Sequence, residues 1–237
     1  EKPISSDIES LTPLLDIERT SDLTTMVGFQ LRFNPLILKM KELLSDGAIG
    51  DILSVRAEVC EYMPWFHRYE DYREIYASKK SLGGGVVLTQ IHEIDFLIDL
   101  FGFPNSVFAI GGKKSRLEID VEDNVDVLMS INEIGVLLHM DFLQKDKKRE
   151  GVIYGEDGRI EYDLANLELN LIKGENKEDF EWHSFDRNEM FLSEMELFIE
   201  NSKLKKPTNI NFEEGSKSLK VAAIIKKSLE KKELIKL

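Results

Sequence analysis

From Asn105 to Gly174 the sequence runs as a succession of short apolar, β-branched segments separated by turn residues, and this succession restricts the fold more than any other feature. The segments are NSVFAIGGKK, NVDVLMSIN, GVLLHMDFLQ, EGVIYGEDGRIEYDL with its Glu-Asp-Gly turn, and LELNLIKG. Strands that follow one another at this spacing pair antiparallel. An earlier segment, ILSVRAEVCEY from Ile52, alternates: Val55, Ala57 and Val59 point one way, Arg56, Glu58 and Cys60 the other, as in a half-buried strand. Two helices, RNEMFLSEMELFIENS and EEGSKSLKVAAIIKKSLEK, close the chain, the second opened by an acidic pair that suits the helix dipole. The fold class is therefore α+β, an open-faced, mostly antiparallel sheet with helices on one face. The other face mixes Arg56, Glu58, His139 and Asp141 with Leu137 and Leu143. Such a face packs against a second subunit, which predicts a homodimer or homotetramer.

Ahead of the sheet, Ser6 is placed to cap a helix through DIESLTPLLDIERT, with Pro13 as a kink or break. TTMVGFQLRF reads as a short strand. Asn34-Pro35 caps the helix LILKMKELLSDG, stopped at Gly47. A later helix, VVLTQIHEIDFLIDLFG, follows Gly83-Gly84-Gly85.

With 44 acidic against 31 basic residues the net charge is −13, which argues against nucleic acid as a partner. The one basic cluster, Lys226 to Lys236, reads as the solvated face of the last helix. No apolar run approaches the ~18 residues of a membrane span. The single cysteine, Cys60, cannot form an internal disulfide, which fits a reducing, cytoplasmic setting. The chain opens on Glu1-Lys2-Pro3 with neither methionine nor targeting peptide, and this reads as the interior of a longer protein.

Motifs of common chemistries are missing. HEIDF at 92–96 has Phe96 where a zinc-protease helix needs its second histidine, and neither GGKKS at 111–115 nor GGG at 83–85 has phosphate-loop spacing. No metal-ligating set is read, and Cys60 has no histidine near it in sequence. His92 shares a helix face with Thr89 and Asp95. It is either a packing histidine or a functional one; the glycines before the helix would let backbone approach a ligand.

In their order, EKP, VGFQLRFNP, GAIGDILSV, an aromatic loop, GGGVVLTQIHEIDFLIDLFG and the terminal helix resemble the Gfo/Idh/MocA family of NAD(P)-dependent oxidoreductases over essentially the whole chain. The resemblance implies a hydride transfer between NAD or NADP and a hydroxyl or keto group of a sugar. Lys2 and His92 are the implied catalytic residues, and Glu1, Lys2 and Pro3, with a cis bond before the proline, the implied cofactor contacts. Residues 1–33 are implied to be the tail of the Rossmann domain, whose strand around Met26, Val27 and Phe29 would have lost its neighbours. Residues 34–237 are implied to be the substrate-binding and oligomerisation domain. The family's glycine-rich phosphate fingerprint is not in the chain.

Arg32, Trp65, Tyr72, Arg73 and Thr89 are the substrate-binding candidates. In the loop YMPWFHRYEDYREIYASKK, Tyr62, Trp65 and Tyr72 offer aromatic faces to a pyranose, with Arg73 and His67 as hydrogen-bonding groups; the alternative is a surface loop with buried aromatic anchors. This version of the loop is similar to members that make surface-polysaccharide sugars, which implies a nucleotide-linked or acidic substrate. Thr89 departs from the family, standing where an acidic residue is usual; it can hydrogen-bond a hydroxyl but not exchange a proton near neutral pH. That departure sustains a rival reading, a non-catalytic sugar-binding or dimerisation module.

Overall fold

The computed structural model describes residues 1–237. Nine strands form one sheet: β1 Ile52–Cys60, β2 Ser106–Gly112, β3 Asn124–Ile131, β4 Ile134–Asp141, β5 Lys148–Gly155, β6 Arg159–Asp163, β7 Glu168–Lys173, β8 Asn176–Glu181 and β9 Ile235–Lys236. Their spatial order is β8-β7-β6-β5-β1-β4-β3-β2-β9. Every ladder is antiparallel except β1 with β4, which run parallel with Ser54 opposite Gly135 and Cys60 opposite Asp141. The early, alternating strand is thus wedged into the middle of the sheet.

Two strands escape the sequence reading. β8, NKEDFE, is an exposed, charged edge with no apolar alternation to betray it. β9 lies where the last helix was expected to continue. Lys232 is left-handed, at φ 56°, and turns the chain back onto the edge of β2.

Six helices complete the chain: α1 Leu11–Thr20, α2 Pro35–Ser45, α3 Val86–Thr89, α4 Ile91–Phe101, α5 Asn188–Leu204 and α6 Phe212–Lys231. α4 is buried along nearly its whole length, and its ionisable Glu93, Asp95 and Asp99 are each met by an arginine. α6 buries Leu219, Val221, Ala222 and Ile225, and its Ser228 hydroxyl accepts a bond from Ala109 N at 2.9 Å, fastening the helix to β2. Asn34 caps α2 as expected, its side-chain oxygen 3.0 Å from Leu36 N. Ser6 caps nothing: α1 begins at Leu11, and Pro13 sits in its first turn, where no intrahelical N–H is required.

TTMVGFQLRF is not a strand of any sheet. The stretch donates from Val27 N to Ile210 O at 2.8 Å, turns tightly as Phe29 N donates to Val27 O at 2.8 Å, and then enters a 3-10 turn over Gln30–Phe33. Val27 and Phe29 are fully covered, so the expected bare edge does not exist. Over Val27 the cover is α6, which comes close because residue 215 is glycine: a Cβ there would fall 2.7 Å from that of Val27. Leu11, Val27 and Phe29 belong to the same apolar core as the sheet and α4.

Candidate functional site

On the helix-covered side of the sheet a cavity of about 640 Å³ opens between the end of β1, the start of β5, the α3–α4 junction and the approach to α5. Lys2, Thr89 and His92 all line it. The junction is made by Gln90, whose φ of −98° and ψ of 30° break the helix after Thr89. The Thr89 carbonyl accepts the Lys2 ammonium at 2.7 Å, which holds the amine at the cavity wall. Burial is the main cause that lowers the Lys2 pKa, against the opposing pull of Glu93. The Lys2–Pro3 bond is cis.

His92 packs edge-on against Phe29, ring centroids 5.7 Å apart. Burial, then the nearby Lys2 charge, push its pKa well below the ordinary histidine value, so the imidazole is neutral at pH 7. Its Nδ1 and the Thr89 hydroxyl are buried without any hydrogen-bond partner. Native interiors satisfy nearly all such atoms, and with Gln90 Oε1 these two make three unpaired buried polar atoms among the cavity-lining residues, groups that a polar ligand could satisfy.

Other residues of the site carry no signal in the sequence. Glu93, 1% exposed, is ion-paired to Arg149 of β5, whose Nη2 lies 3.0 Å from Glu93 Oε2. Arg149 reaches the cavity because the β1–β5 register sets it opposite Val59 on the covered face. In sequence it is one cation in KDKKRE, which reads as a solvated turn. Gln90, Tyr76, Lys147 and Arg187 also face the cavity.

The remaining sequence candidates lie elsewhere. Arg32 does not reach the cavity: its guanidinium is bidentate on Asp95, at 2.8 Å for each bond, and touches Asp99 at 3.3 Å. It is a buried tie between the 3-10 turn and α4. Arg73 is bound by Asp71 and Glu118, and the Tyr72 hydroxyl accepts from Glu118 N. Trp65 stacks edge-on with Tyr62 under Arg68. The aromatic loop is therefore anchored partly on itself and partly on Glu118 and Phe142, and from it Phe66, His67 and Tyr76 reach the cavity. Glu1 and Pro3 flank Lys2 without lining the cavity. The glycines before α3 are not there for a ligand: a Cβ on Gly84 would meet Tyr76 O at 2.5 Å, and one on Gly85 would strike Glu122. Cys60, read as having no histidine neighbour, has His139 beside it through the β1–β4 pairing.

An open, mostly antiparallel sheet is thus backed by helices that carry Thr89 and His92 to a cavity they share with Lys2. The chain belongs to the GFO/IDH/MocA family: residues 37–161 match its C-terminal domain. Myo-inositol 2-dehydrogenase of Thermotoga maritima is 26% identical over 256 residues, an alignment covering 100% of this chain and 71% of that protein. Trans-1,2-dihydrobenzene-1,2-diol dehydrogenase of Bos taurus is 28% identical over 131 residues, 54% of this chain and 36% of that one. Among solved structures, levoglucosan dehydrogenase in complex with NADH and levoglucosan superposes with a TM-score of 0.88 at 18% identity, covering 99% of this chain and 72% of that one.

Proposed function

We propose that the cavity binds a sugar with its reacting carbinol against Lys2, Thr89 and His92, and that the protein serves hydride transfer between that carbon and NAD or NADP. The observation that carries this reading is the pair of buried, unpartnered polar atoms, Thr89 Oγ1 and His92 Nδ1, beside a desolvated amine in one cavity. Lys2, fixed at the cavity wall by the Thr89 carbonyl, would hold the nicotinamide end of such a dinucleotide. When bound, the nicotinamide supplies the hydride acceptor or donor.

The chain's own residues do the rest. The amine of Lys2, held by the Thr89 carbonyl, takes the proton of the substrate hydroxyl or returns it, and its lowered pKa brings that exchange toward neutrality. The Thr89 hydroxyl and neutral His92 hydrogen-bond and orient the carbinol. On the cavity wall Arg149 is neutralised by Glu93 and Lys147 by Glu61, which leaves Arg187 to favour an acidic or nucleotide-linked sugar, the kind used in surface-polysaccharide synthesis. In this reading residues 1–33 adjoin the cofactor domain and residues 34–237 are the substrate and oligomerisation domain. The open sheet face, with Ile110, Leu128 and Leu137 each more than 40% exposed, is covered by a second copy.

The test is NAD(P)H absorbance in the dinucleotide-bound enzyme across neutral, acidic and nucleotide-linked sugars, with Lys2→Ala alongside. Turnover that depends on Lys2 supports the reading. Sugar binding without turnover would favour a binding module instead.

A further inference from the structure

We propose that Cys60, His139 and Asp141 form a binding site for a zinc-class divalent cation on the open face of the sheet. The site is a product of register. In the parallel β1–β4 pair Cys60 lies opposite Asp141 and Glu58 opposite His139, so residues about eighty apart in the chain meet on one face. One sulfur, one imidazole nitrogen and one carboxylate oxygen lie within 4.8 Å of one another. His139 Nε2 and Asp141 Oδ2 are 3.0 Å apart. Tetrahedral zinc, with Zn–N and Zn–O near 2.0–2.2 Å, needs roughly 3.3 Å between those atoms and, with Zn–S near 2.3 Å, about 3.6 Å from each to the sulfur. The three donors therefore come within about an ångström of a tetrahedral face.

The surroundings orient these donors toward a common point. Asp126 Oδ1 accepts from His139 Nδ1 at 2.7 Å, which directs Nε2 inward. A carboxylate on the far nitrogen is the partner that metal-binding histidines usually have. Asp141 Oδ1 is occupied by Leu143 N at 2.8 Å and Gln144 N at 3.1 Å, leaving Oδ2 for the centre of the cluster. The Gln144 amide donates both to Cys60 Sγ, at 3.1 Å, and to Asp141 Oδ2, at 2.9 Å. An electropositive group thus already bridges two of the three donors. Half a turn of that amide would present its oxygen as a fourth ligand; water is the other candidate.

A thiolate, an imidazole and one carboxylate suit zinc or cobalt(II), whereas magnesium and calcium take oxygen ligands. Binding would release the thiol proton and any proton on His139 Nε2. The cation would clasp β1 to β4 on the face opposite the cavity, so the site is independent of the proposed hydride chemistry.

The experiment is cobalt(II) titration of the metal-stripped protein, followed by optical absorption, with zinc content measured by mass spectrometry after gel filtration. The expected result is one equivalent of metal, a sulfur-to-cobalt charge-transfer band in the near ultraviolet, and intense tetrahedral bands in the visible that zinc abolishes. Cys60→Ser, nearly isosteric, should lose the charge-transfer band with an unchanged far-ultraviolet circular dichroism spectrum. Asp126→Asn should weaken binding about 10–100-fold with the band position kept. Gln144→Ala separates the two candidates for the fourth ligand: weaker binding assigns the amide oxygen, unchanged binding a water, and either accords with the site. No sulfur-to-cobalt band at millimolar cobalt, or a band that persists in Cys60→Ser, overturns the assignment.

Discussion

Replacing Arg149 by methionine tests whether the Glu93–Arg149 pair holds the cavity wall together. Methionine keeps most of the stem and removes the charge. Glu93 then remains with its side chain 1% exposed and no ion-pair contact, Lys2 acting on it only from a distance, while Arg149, 21% exposed, had bordered the cavity. Breaking one side of a buried pair costs about 3–5 kcal/mol, and because water can enter from the cavity the lower end applies, roughly 3 kcal/mol. For a chain of this size each kcal/mol moves the midpoint about 2–4 °C, so Tm should fall by about 6–12 °C. The assay is thermal unfolding by calorimetry on wild type, Arg149→Met, Glu93→Gln and the double variant. Since the loss comes from a stranded carboxylate, adding Glu93→Gln to Arg149→Met should recover part of it, with a coupling of about 1–3 kcal/mol. An Arg149→Met midpoint within 1 °C of wild type, or strictly additive effects, would refute the reasoning.

Lys2→Ala should lower turnover by the ~10²–10⁴ that a lost acid–base group costs, with dinucleotide affinity nearly unchanged; steady-state kinetics and fluorescence titration check both. His92 binds a proton less readily folded than unfolded, so as pH falls below about 6.5 the unfolded chain takes up more protons and stability drops. Denaturant midpoints from pH 7.5 down to 5 should show that slope in wild type and a shallower one in His92→Gln. Gly84→Ala sets a methyl against two rigid carbonyls, Tyr76 O at 2.5 Å and Ala77 O at 2.7 Å, and should cost about 1–3 kcal/mol by chemical denaturation. Leu128→Asp, on the open face, should shift the light-scattering mass toward the monomer while leaving Tm at high dilution little changed.

β2 to β7 were legible as apolar, β-branched runs between turn residues and β1 from its alternation, and the Asn34-Pro35 cap because its chemistry is local. β8 was not, since an exposed edge strand need not alternate. At the site, Lys2, Thr89 and His92 were reachable through motifs, each carried by a short contiguous stretch. Arg149 and Arg32 were not reachable. Whether an arginine faces a ligand or a carboxylate depends on partners brought from far along the chain: Asp95 lies 63 residues from Arg32, and Glu93 lies 56 from Arg149. The same limit explains Cys60, whose histidine neighbour is supplied by a strand pairing that local pattern does not encode. The glycines before α3 were noticed for the right reason, close approach, but the approaching atoms are the protein's own.

The parallel seating of β1 also sets the order in which the molecule is assembled. Of the nine strands of this sheet β1 leaves the ribosome first, yet both its neighbours, β4 and β5, lie later, and its first ladder partner, Gly135, follows Ser54 by 81 residues. At about 5–20 residues per second, the nascent strand waits roughly 4–16 s with both edges bare. β3 and β4, joined by a two-residue turn, close as a hairpin at once, so the late event is docking a waiting strand onto a preformed ribbon. Synthesis of residues 61 to 134 is therefore the interval in which this strand is open to mispairing, and the one in which a chaperone would shield it.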